Sequence, residues 1–337
     1  MQKENINLVD ICNELRHFHV KINPQFLKDL LVNAINDPSP HLNKKLIQFL
    51  GMKLTKNTNA CLTIYGWTTG KRTIPLEKLI KIIKLSNQNW KTIETNIISI
   101  KAGRNGGGEI KINFPIKMDK KLGSIVGHIL GDGSIDAKYQ QVFFSNSNKE
   151  LLKEFRDHMK LIFGVDPRIW MQKAPDFGNT QWDKRINSID ELIEGRSCGL
   201  FYPTACGQIL NFIFKDFVIG HKKKITSTIK TSNKEFKKGL IRAFYDDEGS
   251  VGKLSQSIRL FQDNKETLNQ FKIFLKDFDI TTGDIKIYRK NEKNRYYFDI
   301  YRKTNFINYN SKIGFTSSKK HFLLNELCII KNIKNSK

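Results

Sequence analysis

The chain repeats itself at a constant offset. The segment GDGSIDAKYQQVFFSNSNKELLKEF, starting at Gly131, lies without a gap on DEGSVGKLSQSIRLFQDNKETLNQF, which starts at Asp247, 116 residues on. Gly133 matches Gly249, Ser134 matches Ser250, Gln140 matches Gln256, and Asn148-Lys149-Glu150 matches Asn264-Lys265-Glu266. Leu152 and Phe155 match Leu268 and Phe271, and Asp132 meets Glu248, carboxylate for carboxylate. A duplication of this length implies two copies of one folding unit, so an element found in one copy is expected in the other.

Each copy has the same order of elements. A helix runs into the acidic position (120–131 and 236–247) and a hairpin follows (133–147 and 249–262). Next come an amphipathic helix opened by an Asn (148–163 and 264–278), two strands and a last helix. In the second copy the strands GDIKIYRKN and RYYFDIYRK alternate. Tyr296, Phe298 and Ile300 are expected on one side, with Arg295, Tyr297, Asp299, Tyr301 and Lys303 on the other. Ile285 and Ile287 likewise oppose Lys286, Tyr288 and Lys290. One sheet face is therefore apolar, and the other is cationic and aromatic. A twisted ribbon with such a face suits a nucleic-acid groove, where Arg and Lys donate to guanine and phosphate. Gln141 and Arg259 join this expected DNA-binding set.

Charge points the same way. Across 337 residues there are 57 Lys and Arg against 33 Asp and Glu, a net +24. It is spread as +10 over residues 1–120, +4 over 121–230 and +10 over 231–337. A surface this basic repels itself, and a polyanion touched at several places is the expected partner. No apolar run reaches the roughly 18–20 residues needed to cross a bilayer, and the first residues lack a signal-peptide core. The five cysteines (Cys12, Cys61, Cys198, Cys206, Cys328) form no CxxC pair, which fits a reduced intracellular setting, cytoplasm or nucleoid, or an organelle. The seven histidines show no ligand spacing.

Residues 1–100 read as a helical region. Two amphipathic helices are expected over 5–36 and three short ones over about 41–88, the last opening at Pro75. This last unit resembles a helix-turn-helix of the phage-repressor-like group. Its polar residues Lys56, Asn57, Thr58, Asn59, Thr63, Lys71 and Arg72 could meet a phosphate backbone. Residues 101–111, with Gly103-Arg104-Asn105-Gly106-Gly107-Gly108, read as a linker. No Lys-Ser/Thr follows these glycines, so a phosphate-binding loop is excluded. The repeats then define domains at 112–228 and 229–337.

Both copies open on a related motif, Ile125-Val126-Gly127-His128-Ile129-Leu130-Gly131-Asp132-Gly133 and Ile241-Arg242-Ala243-Phe244-Tyr245-Asp246-Asp247-Glu248-Gly249. These resemble the LAGLIDADG motif of homing endonucleases, in its single-chain two-motif form. Gly127 and Gly131 lie four apart on one helix face, with Ala243 as a small residue in the partner, so two helices can cross there backbone to backbone. Their ends would bring Asp132 and Glu248 face to face, where two carboxylates repel unless cations neutralise them.

The resemblance implies an α+β fold of two pseudo-symmetric αββαββα halves, joined through the motif helices and forming a saddle over double-stranded DNA. It implies hydrolysis of phosphodiester bonds at a long, partly asymmetric site by a monomer using Mg²⁺ or Mn²⁺. The metal ligands carried over are Asp132 and Glu248, with main-chain help from Gly131 and Asp247. The basic residues expected near the metals are Lys222, Lys223 and Lys319, since an Ile-Gly precedes a basic cluster in both halves. His128, Leu130, Arg242 and Asp246 depart from the motif letters. A non-cutting binder on the same scaffold, either an intron RNA maturase or a transcriptional regulator, is the alternative. The chain begins at Met1 and ends KNIKNSK without a terminal His-Asn. A free-standing or intron-encoded enzyme is therefore expected rather than an embedded protein-splicing element.

Overall fold

The structure is a computed structural model. It describes residues 4–12, 14–15, 17–52, 60–103, 108–172, 182–289 and 294–329. Lys56 to Asn59, Lys290, most of the glycine run and the final KNIKNSK lie outside the described residues.

Residues 120–329 form the two expected halves. The first motif helix, Lys120–Leu130, is opened by Asp119, whose side chain accepts from the Lys121 and Leu122 N–H groups. The second, Lys234–Glu248, is opened by Asn233 in the same way at Phe236. Both caps satisfy N–H groups that a helix start otherwise leaves without partners. The two helices lie against each other along their length, and the close approach depends on missing side chains. A Cβ on Gly127 would fall 2.5 Å from the Leu240 carbonyl oxygen and 2.8 Å from the Ala243 Cβ. Gly123 and Gly239, which the motif letters did not single out, meet the main chain of Phe236 and of Lys120.

The second half has a four-stranded antiparallel sheet. Its order is Gly249–Gly252, Ser257–Gln262, Arg295–Ile300 and Lys286–Arg289. The first half differs from the expected pattern. Its sheet has five strands, ordered Gly133–Ile135, Val142–Asn146, Cys198–Phe201, Arg168–Gln172 and Trp182–Ile186. The strand Trp182–Ile186 adds a hairpin at the outer edge, so Cys198–Phe201 takes the inner place that Arg295–Ile300 holds in the other half. Helices Lys149–Phe163 and Lys265–Lys276 cover the inner faces with Leu152, Phe155 and Met159, and with Leu268, Phe271 and Leu275.

The N-terminal region is mostly helical among the described residues, but it also carries a small sheet. The two helices expected over 5–36 are a short one, Leu8–Cys12, then the strand His19–Ile22 and the helix Pro24–Ile35. Val20 and Ile22 are buried and their neighbours are not, a period of two that the helical reading passed over. That strand is central in a sheet between Ile74–Pro75 and Ile97–Lys101. The helices Lys44–Phe49, Ala60–Thr68 and Leu76–Ser86 occupy the expected helix-turn-helix positions, but the segment after Ala60–Thr68 joins the sheet through Ile74. The region is tied to the first half at several points. Asn5–Ile6 pairs with Ile116–Lys117, Ile100 bridges Ile110 across the glycine run, and His17 Nε2 meets Gln208 Oε1 at 3.1 Å.

Candidate active site

The two motif helices end side by side, and the acids lie at those ends. Asp132 follows the last turn of the first helix and Glu248 closes the second. Burial pushes both carboxyls above their ordinary range, and for Glu248 the Asp132 charge adds to the effect. Lys223 pulls both back down. Asn146 Nδ2 donates to Asp132 Oδ2 at 2.9 Å, and Arg295 Nη2 lies 3.6 Å from Glu248 Oε2. The repeat therefore does bring Asp132 and Glu248 into one electrostatic site.

Two lysines enter this site. Lys223 Nζ donates to the Gly131 carbonyl. Lys320 Nζ donates to the carbonyls of Tyr245 at 3.0 Å and Gly249 at 2.7 Å, and to that of Asp246 at 2.5 Å. Burial pushes both ammonium groups below the usual lysine range, and the surrounding carboxylates oppose it. The other two lysines expected here do not enter. Lys222 pairs with Ile219 in a short hairpin and shares its exposed side, whereas Lys223 pairs with buried Val218. Lys319 is exposed, and the helix Ser318–Ile329 turns Lys320 inward instead. The spacing of Lys320 with buried Leu324 and Leu327, at i, i+4 and i+7, is the sequence signal that separates the two.

The donor set fits a hard divalent cation. Among the described residues no three His, Cys, Asp or Glu side chains converge on a metal-sized site. Two coupled carboxylates at adjoining helix ends, open to solvent on the Asp132 side, do suit Mg²⁺, which keeps few protein ligands and completes its shell with water and phosphate oxygens. The expected main-chain ligands are placed differently. The Gly131 carbonyl is engaged by Lys223, and Lys320 takes carbonyls on either side of Asp247. The Asp247 side chain is fully buried and paired with His128 Nδ1 at 3.0 Å.

The second sheet carries the expected cationic and aromatic face. Arg259 binds Asp299 through Nε at 2.7 Å and Nη2 at 3.2 Å, and its guanidinium lies 4.3 Å from the centre of the Tyr297 ring. Tyr288 packs on Phe261 at 5.1 Å, and Arg295 lies over Phe261. Lys286 pairs with Tyr297, and Tyr288, two residues on, shares that face, its ring 6.1 Å from the Tyr297 ring. Tyr301 and Lys303 leave this face. The strand stops at Ile300, Arg302 has a φ of 78°, and Lys303 starts a helix, so alternation no longer counts there. In the first half Gln141 is half-buried at the start of its strand. The sequence reading missed the aromatic cluster Phe143, Trp182 and Phe201 on that sheet, packed around Gly199.

Comparison with known proteins agrees with this architecture. The family model described as a LAGLIDADG-like domain matches residues 119–196 and again 235–314. A curated relative, DNA-directed RNA polymerase subunit Rpo1C of Methanocaldococcus jannaschii, is 26% identical over 180 residues. The match covers 52% of this chain but only 18% of that subunit. Among solved structures, the homing endonuclease I-DmoI in complex with DNA and Mn is 15% identical with a TM-score of 0.38, covering 60% of this chain and 99% of that one. Full-length DUF199/WhiA from Thermatoga maritima is 16% identical with a TM-score of 0.41, covering 66% and 65%. Each matched segment holds one motif helix and one of the two acids, so residues 119–196 and 235–314 are two LAGLIDADG-like domains in a single chain.

Proposed function

We propose that this protein is a site-specific endonuclease that hydrolyses both strands of double-stranded DNA with Mg²⁺ or Mn²⁺. The observation that carries this reading is the electrostatic coupling of Asp132 and Glu248 at adjoining helix ends, each with one half-buried lysine on the carbonyls there. A protein that only binds DNA gains nothing from two like charges brought together at adjoining helix ends. The sheet face beside them supplies Arg259, Arg295 and Lys286 for phosphates and base edges. None of the five cysteines forms a disulfide, which suits a reducing compartment.

In this reading Asp132 and Glu248 would hold the cation, which would supply Lewis acidity to an attacking water and to the leaving oxygen. Asn146 fixes the Asp132 carboxylate, and Arg295 steadies Glu248. Lys223 and Lys320 bring positive charge to where charge builds on the phosphate.

The test is selection of cut sites from a DNA library, with Mg²⁺ and with EDTA, beside the double variant Asp132→Asn/Glu248→Gln. Mg²⁺-dependent double-strand cuts at one long site, absent in the variant, are expected. Tight binding without cutting by wild type would overturn the reading in favour of a non-cutting DNA binder or an intron RNA maturase.

A further inference from the structure

A line of buried charge crosses the seam between the halves, behind the acids. His128 Nδ1 lies 3.0 Å from Asp247 Oδ2, and neither side chain has any exposed area. The other imidazole nitrogen lies 3.9 Å from Glu154 Oε2 and has no hydrogen-bond partner. Glu154 in turn pairs with Arg242 and accepts from the Thr316 hydroxyl. His128 and Glu154 belong to the first half, and the other three to the second. Burial alone would drive the imidazole neutral, but Asp247 and Glu154 outweigh it and hold it charged, at about 10.

Both ends of this line touch the candidate active site. The Asp132 N–H points at Asp247 Oδ2 at 3.4 Å, a long hydrogen bond. Gly131 leaves room for that carboxylate, since a Cβ there would fall 2.5 Å from Oδ2. At the far end, Thr316 and Ser317 donate their N–H groups to Asp246, at 2.8 and 3.1 Å. They begin the segment that turns Lys320 into the site.

The sequence gives this pair a second meaning. The motif letters have Leu at the fourth position and Ala at the seventh. Here His128 stands at the fourth position of one copy and Asp247 at the seventh of the other. Either charge alone in the seam would be costly, and apolar letters would pack there at no such cost. The two departures meet each other.

We infer that His128, Asp247 and Glu154 are positioning residues. They fix the Asp132 end of the first motif helix against the Glu248 end of the second and against the Lys320 helix, so that the two strands are cut in step. This role rests on the endonuclease reading, but the contact itself does not.

The test compares full-length wild type with His128→Leu, Asp247→Ala, the double variant His128→Leu/Asp247→Ala, and Asp247→Asn. Each of the first two loses stability by removing one partner of the His128–Asp247 pair from the buried seam, and the double variant, which restores the motif letters, regains it. In that folded double variant, without metal, the Asp132 amide exchanges about tenfold faster than in wild type. On plasmid carrying the target, nicked circles accumulate before linear product, while DNA affinity without metal is unchanged. Asp247→Asn keeps an oxygen that accepts from both the Asp132 N–H and the imidazole Nδ1–H, and stays near wild type in both readouts. A double variant with wild-type amide exchange and a wild-type ratio of nicked to linear product would overturn the inference. Faster amide exchange in the double variant, with no cutting even by wild type, would remove the endonuclease reading and leave the clasp standing.

Discussion

Replacing Gly127 by Ala sets two effects of opposite sign against each other. Gly127 sits inside the first motif helix, and by helix propensity alone Ala there should stabilise the fold by about 1 kcal/mol. The seam opposes this. The new methyl would fall 2.8 Å from the Ala243 Cβ and 2.5 Å from the Leu240 carbonyl oxygen. The first distance is about 0.7 Å inside the short end of the carbon–carbon optimum, roughly 3.5 Å. The Leu240 oxygen is main chain and cannot swing aside, so one helix must move away from the other. Overpacking of this kind costs roughly 1–3 kcal/mol, and a clash with main chain belongs at the upper end. The net expectation is a loss of about 2 kcal/mol, a factor of about 30 in the folded-to-unfolded ratio. Urea unfolding of the metal-free protein, followed by circular dichroism, measures it. A gain of about 1 kcal/mol would mean propensity decides and the helices are not in backbone contact at Gly127.

The remaining predictions concern the site and the DNA. Lys320→Met should lower the cleavage rate by about 10²–10³, whereas Lys319→Met should lose only salt-dependent affinity; equal effects in a single-turnover assay would refute the assignment. Glu154 is held down to about 2 from 4.5: burial opposes this, but His128, Arg242 and Thr316 prevail. Its folded value is the lower one, so its stabilisation is complete above pH 4.5 and lost as pH falls through about 2. The loss is on the order of 3 kcal/mol, and Glu154→Gln should flatten the acid limb of a stability–pH profile. Arg259→Ala and Lys286→Ala should each reduce the slope of log affinity against log salt by about one if each neutralises one phosphate. The N-terminal cleft of about 680 Å³, lined by Lys21, Lys71, Arg72, Lys78 and Lys101, predicts a further change. Lys21→Ala/Lys71→Ala should weaken binding to long duplexes but not to ones limited to the central site.

The doubled pattern carried most of what the sequence could tell. A gap-free offset fixed where each helix, hairpin and acid had to recur, and Asp132 and Glu248 follow from it directly. Residues within one element were legible where the period held, as with Lys286, Tyr288 and Tyr297. They were misplaced where the chain left the strand, as with Tyr301 and Lys303 after Ile300. The lysines failed for a different reason. Lys222 against Lys223, and Lys319 against Lys320, differ by one residue, and the choice depends on a two-residue hairpin and on helix phase. His128 and Asp247 were noticed only as a departure and a main-chain donor. They are 119 residues apart, and nothing local marks them as partners until two helices are crossed. The sheet in the first hundred residues was missed because its strands are two to five residues long and separated by whole helices.

The attachment of the N-terminal region has a consequence for spacing along DNA. Strand pairing at Asn5–Ile6 and the contact of His17 with Gln208 hold it to the first half at two places, so if it meets DNA it acts as a bracket rather than a leash. A leash tolerates any spacing between two recognised sequences, whereas a bracket requires a helical phase. Inserting about five base pairs between the two contacts would turn one of them to the opposite side of the duplex, and inserting about ten would bring it round again. Affinity plotted against insert length should therefore oscillate with the pitch of B-DNA instead of decaying smoothly.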